Sequence, residues 1–214
     1  MPSLTIYDKP RLVATRLAPL GLDRDALVQV VLRAVAARND AVAIDPINAP
    51  GLLAYIYGTR GIRHYLLPKG WKMDRSENLE ATVNPQTGTR LIYQNCDICC
   101  DASREPRPIS AKGAAAGRLV EHLNGDLFPE LIAEARAVAA APGKVWFLCV
   151  SVDNEEIRAE LSCPKRLEGK QFGEFHERIY LLQKGDLGPQ PKPTHARYDE
   201  VTDEYEVILT KKNA

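Results

Sequence analysis

The strongest constraint in this chain is a run of ten residues, 144–153, that is apolar on both sides of an extended segment. Trp146, Leu148, Val150 and Val152 alternate with Val145, Phe147 and Cys149. A strand that is apolar on both faces belongs in the interior of a sheet. The rest of the fold must therefore supply strands on both sides of it, so the reading of the chain starts from a sheet.

Upstream, the hydrophobic period is that of a helix. Leu27, Val28, Val31, Leu32 and Val35 recur at helical spacing over 24–38, behind Asp23 as N-cap. A second helix is expected over 49–67, with Leu52, Tyr55, Ile56, Ile62, Tyr65 and Leu66 on its apolar face. Gly58 and Gly61 weaken it by roughly 1 kcal/mol each relative to Ala. Residues 11–22, with Pro19 and Gly21, read as irregular, and 41–44 as a short strand. The period then changes to 2, and a hairpin is expected, with strands 79–83 and 89–101 around a turn at 84–88. Its register sets Asn84 opposite Thr89 and Glu80 opposite Tyr93.

Two helices, 111–123 behind Ser110 and 129–141 behind Pro129, precede the central run. A half-exposed strand over 156–163, a loop over 164–173 and a strand over 177–183 follow it. A Pro-rich spacer from 188 to 193 leads to a last hairpin at 198–210. The sum is an α+β fold. A single domain over 1–188 has a mixed, mostly antiparallel sheet with helices on one face, and 189–214 form a spacer and tail.

Charge excludes a dedicated nucleic-acid-coating protein, because 28 Lys and Arg balance 28 Asp and Glu. It does not exclude a basic face. The N-terminus lacks a basic region followed by an apolar stretch, so no secretory leader is expected. No run approaches the ~18 apolar residues of a membrane span, so no membrane partner is expected. Five cysteines, an odd number with Cys99 and Cys100 adjacent, suit reduced thiols in a cytoplasm.

Three polar constellations carry chemistry. Glu80, Asp97 and Asp101 fall on the expected hairpin. Clustered carboxylates are what Mg²⁺ or Mn²⁺ takes, with Glu80 and Asp97 as ligands, or what acid/base chemistry uses. The plain alternative is the solvent-facing side of a sheet. Arg104, Arg107, Ser110 and Lys112 sit where a helix opens, a place suited to phosphate; a capped helix packed through small residues explains them equally. Tyr57, Arg60, Arg63 and His64 recur at helical spacing, and Lys69, Trp71, Lys72 and Arg75 follow. Cations interleaved with aromatics suit backbone contact plus base stacking. A solvated helix face is again the plain alternative.

The remaining signals are negative. Cys96 and Cys99 form a single C-x-x-C pair, short of a structural zinc site. No Walker, G-x-S-x-G or H-E-x-x-H pattern is present. Glu160 is expected on the exposed face of its strand, paired with Arg158 or Arg178. The acidic tail with Tyr198 and Tyr205 suits a protein partner or an edge hairpin. The expectation is a nucleic-acid-associated binding or adaptor subunit of a larger cytoplasmic assembly. The alternative is a metal-dependent nuclease or phosphodiesterase using the acidic hairpin face.

Overall fold

A computed structural model describes residues 4–76, 79–110, 114–124, 143–153, 156–168 and 171–187. One seven-stranded sheet organises them. Its strands are β1 (Thr5–Tyr7), β2 (Lys72–Asp74), β3 (Ala81–Val83), β4 (Arg90–Asn95), β5 (Val145–Asp153), β6 (Glu156–Glu168) and β7 (Gln171–Leu182), in the spatial order β1-β7-β6-β5-β4-β3-β2. The pairs β1–β7 and β4–β5 are parallel and the other four are antiparallel. The sheet is therefore mixed and mostly antiparallel, as the sequence implies.

The doubly apolar run is the middle strand, β5. Trp146, Leu148 and Val150 face one core, shared with Leu27 and Val31 of helix α2 (Arg24–Asn39) and Ile62 and Leu66 of helix α3 (Ala49–Leu66). Val145, Phe147 and Cys149 face a second core with Ala116 and Val120 of helix α4 (Ala114–Asn124), Phe172 and Phe175. Helices thus cover both faces, not one. α4 lies within the connection between β4 and β5, and a parallel pair needs such a long crossover. The expected helix over 129–141 and the segment 189–214 lie outside the described residues.

Asp23 caps α2 by accepting a hydrogen bond from the Ala26 amide at 2.9 Å. The hairpin keeps its expected register, with Thr82 opposite Leu91 and Val83 opposite Arg90. Its turn is held by Asn84, whose Oδ1 accepts from the Gln86 amide at 2.9 Å.

Several expectations are corrected. Residues 11–22 are not irregular: helix α1 (Pro10–Leu17) starts with Pro10 and continues as a 3₁₀ turn to Leu20. Pro10 presets the first helical turn, and Gly21 at φ 68° ends the 3₁₀ turn. Residues 41–44 form no strand; Val42 and Ile44 are exposed, and Asp45 bonds back to the Val42 amide. β4 stops at Asn95 and does not reach 101, because Cys96 bridges Pro108 instead. β6 and β7 run through most of the expected 164–173 loop. Pro164 is tolerated there because the β6–β7 register shifts at Cys163 and Pro164. Among the described residues, no helix is long and apolar enough to cross a membrane.

Candidate functional site

The two helix-weakening glycines set the position of α3. A Cβ on Gly58 would lie 2.2 Å from the Tyr93 ring, and one on Gly61 would lie 3.0 Å from Val30. Both positions therefore let α3 seat closely, one on β4 and the other on α2. That seating turns Tyr57, Arg60 and His64 outward, where all three are exposed. The Arg60 guanidinium stacks 4.5 Å from the Tyr57 ring centre.

Arg63, next on the helix, reaches to Glu80 and forms an ion pair with it. Arg75 approaches the same carboxylate at 3.4 Å. A hollow of about 360 Å³ opens here, lined by Tyr55, Ile56, Thr59, Arg60, Arg63, Arg75 and Glu80. Arg63 and Arg75 thus share one carboxylate, and Arg60 lines the same hollow. The Arg63 hydrogen bond holds the Glu80 carboxyl below its ordinary pKa. Burial is the main cause raising the Tyr55 phenol, with the nearby Glu80 charge adding to it.

A larger cavity of about 580 Å³ lies beyond the carboxyl end of β4, between the start of α3 and Ala116 of α4. Arg38, Asn48, Leu52, Tyr55, Gln94 and Asn95 line it, with Ser110 and Ile109 at its side. Asn95 ties the two elements together. Its Nδ2 donates to the Gly51 carbonyl at 2.9 Å, while its Oδ1 accepts from the Tyr93 hydroxyl at 3.2 Å. Tyr55 lines both hollows, so they adjoin along α3.

The structure brings Glu80 together with Arg60 and Arg63, residues the sequence placed in separate sites. It does not assemble Glu80, Asp97 and Asp101 into one cluster. Asp97 caps its own loop, accepting from the Ile98 and Arg107 amides at 2.7 and 2.8 Å, with Arg104 at 3.6 Å. Asp101 accepts from the amide and hydroxyl of Ser103, which lower its pKa. Among the described residues, no group of three or more His, Cys, Asp or Glu is placed to hold a metal ion.

The expected phosphate residues are also divided. Arg104 and Arg107 line a separate polar hollow with Glu105 and Glu168, whereas Ser110 lines the β4 cavity. Lys112 lies outside the described residues. Lys69 sits 4.1 Å over the Tyr65 ring and donates to its hydroxyl at 2.9 Å. Lys72 departs from the stripe: its register opposite Val83, itself opposite Arg90, puts it on the α4 side of the sheet.

The sequence pattern also misplaces Glu160 and passes over other residues. Glu160 is fully buried, not exposed, although its partner is Arg178 as one alternative had it. Arg178 donates to both Glu160 oxygens at 2.7 and 2.8 Å and to the carbonyls of Asp101 and Arg104 at 2.9 and 3.1 Å. Glu160 also accepts from the Cys100 amide and the Ser162 hydroxyl. This network fastens the loop after β4 to β6 and β7. Arg38 and Asn95 carried no motif, and Tyr55 read only as a core residue. Burial raises the thiols of Cys96, Cys99, Cys100 and Cys163, Cys99 to about 11.

Compared with known proteins, the chain matches no family model, no curated protein and no solved structure.

Proposed function

We propose that the protein is a nucleic-acid-binding subunit of a larger cytoplasmic assembly, holding a phosphate backbone along α3. The convergence of Arg60, Arg63 and Arg75 on one hollow carries this reading, since Glu80 is the only carboxylate among its described lining residues. Guanidinium groups form forked hydrogen bonds with phosphate oxygens. Tyr57, stacked with Arg60, adds an exposed aromatic surface beside that cation. The five unpaired thiols fit a reducing compartment. The acidic segment 198–210 remains the proposed contact for a protein partner, on its sequence alone.

The test is fluorescence anisotropy with a labelled oligonucleotide. Arg60→Ala/Arg75→Ala changes two exposed or largely exposed side chains, so the fold should persist by circular dichroism. Binding should weaken by at least about tenfold, a loss of about 1.4 kcal/mol. Unchanged affinity would overturn the reading. No observation favours the metal-dependent nuclease alternative, because the Glu80 carboxylate is engaged by two arginines and Asp97 by its own loop.

A further inference from the structure

We propose that the cavity beyond β4 receives one unpaired base of the strand held along α3, so that the bound nucleic acid is single-stranded. This rests on the proposed function and deepens it. α3 lines the cavity from Pro50 to Tyr55 and the arginine hollow from Tyr55 to Arg63. At 1.5 Å per helical residue, positions 50–63 span about 20 Å, room for more than one nucleotide. Tyr55 lines both hollows.

Their chemistries differ in the way a nucleotide differs along its length. The hollow at Arg60 gathers cations for phosphate. Among its described lining, the β4 cavity has no carboxylate and one cation, Arg38. Its rim is apolar: Ile47, Leu52 and Ile109 are all exposed there. Gln94, 6% exposed, is held at its lining by donating to the Asn95 carbonyl at 2.7 Å, and the exposed Ser110 brings a hydroxyl to its side. A nucleobase presents apolar faces and a polar edge, so an apolar rim, the Tyr55 ring and a hydroxyl suit it. At about 580 Å³ the cavity falls within the range of about 300–1,000 Å³ usual for small-ligand sites. A duplex keeps its bases stacked and paired, and extruding one costs energy that a single strand does not pay.

The experiment compares four probes on the full chain: a single strand with 2-aminopurine at its centre, the same strand lacking that base, the matching duplex, and the unlabelled single strand as competitor. Ile109→Trp narrows the cavity mouth from an exposed position, and its melting temperature checks folding. The expected result is a change in 2-aminopurine emission on binding, and affinity for the single strand about fivefold or more above that for the base-less strand and the duplex. Ile109→Trp should abolish the emission change and lower single-strand affinity to the base-less level. Arg60→Ala/Arg75→Ala should weaken all probes. Equal binding of all probes, unaffected by Ile109→Trp, overturns the base pocket and leaves the proposed function standing. Absence of binding by any probe overturns both.

Discussion

Arg178 is a fully buried guanidinium whose Glu160 partner is equally buried, and each completes the other's hydrogen bonds. Removing one member leaves the other charged and unpaired in the core. Arg178→Met should therefore cost about 3–5 kcal/mol in urea denaturation, and Arg178→Met/Glu160→Met should cost less than the single change. A double variant no more stable than the single one would contradict this account. The thiols behave as core residues by the same logic of burial. Iodoacetamide at pH 8 should leave Cys96, Cys99, Cys149 and Cys163 unmodified in the native protein and modify them after denaturation, as mass spectrometry would show. Modification under native conditions would mean that this core opens. Glu80 sets a pH dependence. Its folded pKa lies below the ordinary value, so its stabilisation is complete above about pH 4.3 and is lost as pH falls through the folded value. Between pH 5 and pH 3 the wild type should lose more stability than Glu80→Gln; parallel curves would remove the Arg63 pair as the cause. The identity of the Arg178 partner was legible because the residue types demand pairing. Glu160's burial was not, because strand alternation says which side a residue faces but not what covers that side.

At the scale of elements, α3 shows what a one-dimensional pattern leaves out. Its helical period is plain in the sequence, and the structure gives Ala49–Leu66 where a helix over 49–67 is expected. Gly58 and Gly61 read only as costs to helicity, because the neighbours they approach, Tyr93 and Val30, are remote in sequence. Gly58→Ala should gain about 1 kcal/mol in helix propensity yet lose about 1–3 kcal/mol by overpacking the buried Tyr93 ring. A lowered melting temperature, partly restored by Tyr93→Leu in the same chain, is the expected outcome; a raised one would show that the ring gives way freely. The three-residue edge strands β1 and β2 have too few residues to show a period. The sequence pattern shows β6 and β7 shorter than they are, because Pro164 and Gly173 look like loop signals. In the sheet, Pro164 sits at a register shift, and Gly173 is where a Cβ would meet the Glu168 side chain at 2.4 Å.

Over the whole molecule, a neutral chain hides an uneven distribution. Residues 1–75 carry eleven Lys and Arg against six Asp and Glu, and the rest of the chain carries the compensating acidic excess. Folding concentrates part of the basic excess on the α3 side, where Arg60, Arg63 and Arg75 meet. It also separates residues that the sequence grouped: Lys72 goes to the α4 side, and Arg104 and Arg107 go to another hollow. The fold class was legible because β5 and the antiparallel hairpin dictate a sheet. The site was legible only as a stripe, since its partners Arg38, Glu80 and Asn95 come from α2, from the residue before β3 and from the end of β4. If phosphate contact is what α3 provides, binding must release counterions from the nucleic acid. The most direct measurement is the affinity of a labelled single strand across a series of salt concentrations, for the wild type and for Arg60→Ala/Arg75→Ala. The account predicts a linear fall of log affinity with log salt in the wild type, and a slope shallower by about 1.4 in the variant, or about 0.7 for each phosphate contact removed from a single strand. Identical slopes, or binding indifferent to salt, would contradict it.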